Sequence, residues 1–155
     1  MQNIRRIQSR DVQSLADTFT HQDYEYFETI YLEHLQGQRV CFVVSEKDKD
    51  GERHYFGYVS LLWESGYTQF WRRNIPEITD LYVLASHRKQ GIGKALINAC
   101  EKAVADKGQN KIGISVVQDD EHKFVQAIYE KSGYVADGFG VTESDNQLHL
   151  VKILG

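Results

Sequence analysis

The stretch from Glu77 to Val117 constrains this chain more than any other. EITDLYVL (77–84) is an apolar run rich in β-branched and aromatic residues, and a polar turn carrying Gly91 and Gly93 follows it. Ile92, Ala95, Leu96, Ala99, Cys100 and Ala103 then recur at helical spacing until Gly108 stops the pattern, and KIGISVV (111–117) is a second apolar run. A strand, a helix and a strand in that order need a crossover, so the two strands lie parallel with the helix on one face of their sheet. The flanks carry the signals of antiparallel pairing. RVCFVVSE (39–46) and HYFGYVSLLW (54–63) are joined by the polar turn KDKDG and predict a hairpin. Upstream, residues 3–8 predict a short strand, Ser9 or Asp11 is a candidate helix cap before Val12, Leu15, Ala16 and Phe19, and a second helix covers about 23–36. Downstream come a helix over about 121–132 ended by Gly133, a strand from Tyr134 and a last strand over about 147–153. The expected fold is a mixed α/β (α+β) domain: a central sheet of about six to seven strands with helices on both faces.

One proline, Pro76, in 155 residues leaves no Pro/Gly/Ser-rich linker, and no repeat interrupts the order, so residues 1–155 read as a single domain. Eighteen Lys and Arg against 22 Asp and Glu give a net charge of -4. No basic excess exists to neutralise a phosphate backbone, which argues against nucleic acid as a partner. Cys41 and Cys100 sit inside apolar runs without paired spacing and read as buried, reduced thiols. MQNIRRIQSRD has no apolar run after it, and no segment approaches the roughly 18 apolar residues of a membrane span. The expectation is a cytoplasmic protein that does not use a membrane.

The segment Leu81 to Leu96 is where chemistry enters. At a helix start the first N–H groups lack intrahelical acceptors and the helix dipole adds partial positive charge, so the turn suits a phosphate. Gly91 and Gly93 permit close approach, and Arg88, Lys89 and Lys94 add charge. A plain strand-to-helix turn with surface cations fits the glycine spacing equally well. Nucleotide-loop patterns fit worse: Lys94 is followed by Ala95 rather than Ser or Thr, and position 96, where a dinucleotide fingerprint needs its third glycine, is Leu.

Two motifs here resemble the GNAT superfamily of acetyl-CoA-dependent N-acetyltransferases. Its signature of Arg or Gln, two residues, Gly, one residue, Gly or Ala is matched by Arg88, Gly91 and Gly93, directly after a strand ending in Val83. Its later pattern Ala-x-x-x-Tyr-x-x-x-Gly-Phe/Tyr is matched by Tyr129, Gly133 and Tyr134, with Val125 in place of Ala and His122 where an Asn is common. The resemblance covers nearly the whole chain, Asn3 to Leu154. It implies a GNAT-like fold with splayed central strands and acetyl-CoA as cosubstrate, with no metal. It also implies that Leu81, Tyr82 and Val83 receive the pantetheine arm as an added strand would, and that Arg88, Lys89, Gln90, Gly91, Ile92, Gly93 and Lys94 hold the pyrophosphate. His122 is carried over as a further coenzyme contact.

The implied reaction is transfer of an acetyl group to a primary amine of a small molecule or peptide by direct attack in a ternary complex. Tyr129 matches the position proposed to protonate the departing thiolate, with packing on its helix as the plain alternative. A protonated amine also needs a base, and the resemblance offers Glu77 or Asp80 without deciding between them. Strand alternation puts Glu77 with Leu81 and Val83 and puts Asp80 on the other face unless a bulge intervenes, which favours Glu77 slightly. The acceptor-side segments 21–34 and 63–74 interleave Tyr24, Tyr26, Phe27, Tyr31, Trp63, Tyr67, Phe70 and Trp71 with Asp23, Glu25, Glu28 and Glu64. Such a mixture suits a polyamine, an aminoglycoside or an amino terminus, although packed aromatics and solvated acids account for it as well, and Arg72 and Arg73 suit an acidic group. The competing readings are a non-catalytic acetyl-CoA sensor or interaction module and a small nucleotide-binding regulator. A homodimer is compatible with all of these.

Overall fold

Every inward residue of Arg39–Lys47 (β2) is buried on both sides of the strand: Val40, Phe42 and Val44 in one core, Cys41 and Val43 in another. A strand apolar on both faces must lie inside a sheet covered on both faces. The computed structural model, which describes residues 3–155, has that architecture. Asn3–Arg6 (β1) and Arg53–Leu62 (β3) flank β2, each antiparallel to it, and Glu77–Val83 (β4) pairs antiparallel with β3. Lys111–Val117 (β5) is parallel to β4, and Gln147–Ile153 (β7) and the two-residue Val135–Ala136 (β6) complete the order β1-β2-β3-β4-β5-β7-β6.

Asp11–Thr18 (α1), Tyr24–Leu35 (α2) and Thr68–Arg72 (α3) cover one face, and Ile92–Asp106 (α4) and Lys123–Lys131 (α5) cover the other. The α4 core joins Leu96, Ile97, Cys100 and Val104 to Val59, Leu61, Ile78, Ile112, Ile114 and Leu150. The α1–α2 core joins Leu15, Phe19, Phe27 and Ile30 to Cys41, Val43, Tyr55 and Tyr58. Both cysteines are free and buried, as their sequence context predicts. Among the described residues, no helix is long and apolar enough to cross a membrane.

The elements follow the sequence with three differences. The first helix takes neither expected cap: Arg10 is its N-cap without a side-chain bond, while Asp11 turns inward, fully buried. It accepts from both Arg5 guanidinium nitrogens at 2.7 Å, from Gln8 N–H at 2.7 Å and from the Tyr55 hydroxyl. These bonds outweigh burial, which alone would raise it, and hold the carboxyl below its usual range. The aromatic segment before β4 is not all loop but contains α3, whose Phe70 ring packs on β5 at Gly113. Gly113 makes this possible, because a Cβ there would sit 2.3 Å from the Phe70 ring.

The third difference concerns β4. Tyr58 pairs with Tyr82 and Ser60 with Thr79, so Val59 alone faces both Asp80 and Leu81. This β-bulge places Asp80 at φ 55°, a left-handed conformation that Asp tolerates better than most residues. An extra residue inverts the alternation beyond it. Ile78, Leu81 and Val83 therefore meet the α4 core, while Tyr82 meets the α1–α2 core. The expected sharing of a face by Glu77, Leu81 and Val83 is overturned, and Glu77 and Asp80 both point away from α4.

Candidate active site

Strands β4 and β5 pair only at Glu77–Gly113 and Ile78–Ile114. Beyond that point β5 continues to pair with β7 through Ser115, Val116 and Val117, and β4 continues to pair with β3, but the two diverge from each other. The result is a V-shaped gap whose apex is Glu77 and Ile78 and whose β4 arm, Thr79 to Val83, has an unpaired edge toward β5. An extended chain can add to such an edge by main-chain hydrogen bonds.

The β4 arm ends in the turn that starts α4. A short 3₁₀ turn over Ala85–His87 leads to Lys89 at φ 63° and Gly91 at φ 83°, which is the left-handed N-cap of α4. Reversal of the backbone at these two residues leaves the N–H groups from Lys89 to Lys94 without an acceptor among the described residues. A concave run of free donors at the positive end of a 15-residue helix is an anion cradle. At Gly93 an added Cβ would find only Val83 Cγ2, at 3.9 Å, so the floor of the cradle is open. Arg88 does not point a free guanidinium into it. Its Nε donates to the Val83 carbonyl at 3.0 Å and its head lies 5.4 Å from the Tyr82 ring, tying the turn to the strand end.

The Acetyltransferase (GNAT) family model matches residues 2–134. The chain belongs to the GNAT acetyltransferase family. No curated protein sequence matches it significantly. Its fold is similar to a GNAT acetyltransferase from Staphylococcus aureus Mu50, with a TM-score of 0.73 at 14% identity over 100% of both chains. It is also similar to mutant forms of the spermidine/spermine N-acetyltransferase SpeG from Vibrio cholerae, with a TM-score of 0.68 at 17% identity over 99% of this chain and 95% of that one. A domain from Methanocaldococcus jannaschii gives 0.69 at 13% identity over 99% of each. At such identities the likeness establishes the fold. Membership of the GNAT family carries an acyl-CoA donor and an amine acceptor with it, and the free cradle and unpaired β4 edge fit the pyrophosphate and arm of that donor.

The other GNAT positions fall on the two faces of the V. Tyr129, in α5, is 7% exposed within the α4-face core, and its hydroxyl has no hydrogen-bond partner among the described residues. Burial pushes it up to about 12. On the opposite face, Glu77 is buried and its Oε1 accepts from the Ser65 hydroxyl. Asp80 is half-exposed and accepts from Arg39 Nη1 at 3.1 Å, while the same guanidinium holds Glu33 of α2 at 2.6 Å. His122, at the start of α5, turns its Nδ1 to Asp119 at 2.5 Å, and that contact holds the Asp119 carboxyl below its usual range.

The aromatic acceptor segments divide. Phe27 and Phe70 are core residues, and Trp63 packs toward the α4 face with Lys107 Nζ 4.3 Å from its ring centroid. Tyr82 remains on the acceptor face, stacked on His21 at 4.1 Å, and His21 Nε2 lies 2.9 Å from the Tyr58 hydroxyl. Arg73 is spent on Gln69 and the Phe139 ring. Sequence reasoning missed Ser65, Arg39 and His149 as neighbours of the site. Their only signal was a polar residue inside or beside an apolar run, which does not say what it faces.

Proposed function

We propose that this protein transfers an acetyl group from acetyl-CoA to a primary amine of a small molecule or peptide, by direct attack within a ternary complex. The observation that carries the reading is the run of unpartnered N–H groups from Lys89 to Lys94, at the end of the unpaired β4 edge. Those groups, with Leu81, Tyr82 and Val83 along the edge, would hold the pyrophosphate and the arm. His122 is at most a peripheral contact, since its ring is committed to Asp119.

When bound, acetyl-CoA supplies a thioester carbonyl open to attack by an amine. The chain's residues must handle the protons. An alkylammonium, for which Lys near 10.4 is a guide, cannot attack until a base removes a proton. The bulge turns Glu77 and Asp80 to one face, away from the side that carries Tyr129, so base and acid flank the V from opposite sides. Glu77 is the preferred base because it sits at the apex, whereas Asp80 is occupied by Arg39. Tyr129 donates the proton that the departing sulfur needs. The acid-and-aromatic character of the acceptor face favours a cationic acceptor, consistent with polyamines, aminoglycosides and amino termini as the first panel.

Turnover of that panel with acetyl-CoA by wild type, Glu77→Gln and Asp80→Asn checks the assignment. Glu77→Gln should lose roughly 10²- to 10⁴-fold at neutral pH and recover as rising pH deprotonates the amine in solution, while Asp80→Asn keeps the wild-type pH profile. Wild-type rates in Glu77→Gln would remove Glu77 from the mechanism. Acetyl-CoA binding without turnover of any amine would make the protein a sensor.

A further inference from the structure

His149 lies in the middle of β7, is 3% exposed and takes no part in the chemistry above. It pairs with Ser115, the first residue of β5 past the apex where β4 departs. Side chains of directly paired residues share a face, as do Glu77 and Gly113, so His149, Ser115 and Glu77 all point to the acceptor side. The ring is held on two sides. Tyr67 stacks on it with centroids 3.5 Å apart and planes 6° from parallel, and Phe70 meets it edge-on at 5.4 Å. Tyr67 is fixed in turn: its hydroxyl donates to Asp137 Oδ2 at 2.6 Å, and its N–H donates to Ser65 Oγ at 2.9 Å. Ser65 is also the residue that donates to Glu77. One clamp therefore fixes both the imidazole and the candidate base.

The imidazole nitrogens are unequal. Nδ1 is sealed from solvent and has no hydrogen-bond partner among the described residues, whereas Nε2 is not sealed. A buried polar atom left unsatisfied in a native fold calls for an explanation beyond packing. The ionisable groups that face the ring are Glu77 from β4, Tyr67 before α3, Asp137 after β6 and Asp145 before β7. Burial keeps the ring below its ordinary 6.5, against the opposing pull of Glu77, Asp137 and Asp145, so it is neutral at physiological pH and would hold a relayed proton only in passing.

We propose that His149 is a positioning and relay residue for the transfer, acting through Glu77: it takes, by way of water, the proton that Glu77 removes from the acceptor. The inference rests on the reading of Glu77 as the base. The proton balance is complete without any further reagent. The acceptor ammonium loses one proton to Glu77, which passes it to His149 and on to solvent. As the C–N bond forms and the C–S bond breaks, the nitrogen loses a second proton, which replaces the one Tyr129 gives to sulfur.

The experiment compares kcat and KM from about pH 6 to 9 in wild type, Glu77→Gln and His149→Phe, using the best amine of the panel. Phenylalanine keeps a flat ring against Tyr67 and removes both nitrogens. His149→Phe should lose roughly tenfold or more in kcat near pH 6.5, with KM for acetyl-CoA unchanged, and the deficit should close as the pH rises. A pH profile parallel to wild type would overturn the relay, even if the rate fell. A crippled Glu77→Gln with an unaltered His149→Phe would overturn the relay alone, and an unaltered Glu77→Gln would overturn the base and the relay together. An NMR titration of His149 in wild type and Glu77→Gln needs no change at His149 itself. Loss of the carboxylate should lower the imidazole pKa, and an identical titration in both would overturn the coupling.

Discussion

Tyr129 illustrates what a single side chain gains and loses by burial. A phenol pushed up to about 12 stays protonated at and well above neutral pH, so its hydroxyl keeps a proton to donate. It is also a weaker acid than a free thiol, near 8.5, so in the proposed transfer its proton would move as the C–S bond breaks rather than before. Tyr129→Phe keeps the ring in the α4-face core and removes the donor. The turnover number should fall by about 10²- to 10⁴-fold with acetyl-CoA affinity nearly unchanged, and wild-type kcat should show no basic limb from this group below about pH 11. Steady-state kinetics with a binding isotherm checks both. The motif that carries Tyr129 was legible in the sequence because its offsets to Gly133 and Tyr134 are local. The faces of Glu77 and Asp80 were not, because the bulge that decides them comes from pairing β4 against β3, and alternation read along one strand cannot detect an extra residue. Asp11 was misread for a similar reason: a carboxylate at a helix start reads as a cap until Arg5 and Tyr55, from β1 and β3, are seen to reach it.

Among elements, the hairpin, the crossover helix and the last strand were predicted to within a residue or so, since each has an apolar period of its own and a polar or glycine stop. Helix α3 was missed because five residues are too few to show a period. It nonetheless packs on β5 beside His149, and Gly113 is what lets it dock. Gly113→Val should drive the Phe70 ring off β5, destabilising the fold by about 1–3 kcal/mol and lowering activity more than its effect on acetyl-CoA binding. Chemical denaturation beside an acetyl-CoA titration separates the two effects. The start of α4 responds oppositely. Gly93→Glu has room for its side chain next to Val83, so the fold should survive, but a carboxylate in the cradle should abolish acetyl-CoA binding. A folded Gly93→Glu protein with normal affinity would remove the cradle from the site.

For the whole molecule, the two residue pairs that join β4 to β5 mean that the continuous sheet is in effect two smaller sheets joined by a short seam. One carries β1 to β4 and the α1–α2 layer, and the other carries β5 to β7. The α4 core packs on strands of both and ties them together, so the gap is open only at its mouth, where a cosubstrate arm laid along the β4 edge would act as a splint. Acetyl-CoA at 100 times its dissociation constant should then raise stability by about 2.7 kcal/mol. That gain should be localised, with the Thr79–Val83 amides that face the gap exchanging fast in the free protein and slowly once the splint is in place. Uniform slowing across both half-sheets, with no excess at 79–83, would remove the β4 edge as the place where the arm lies.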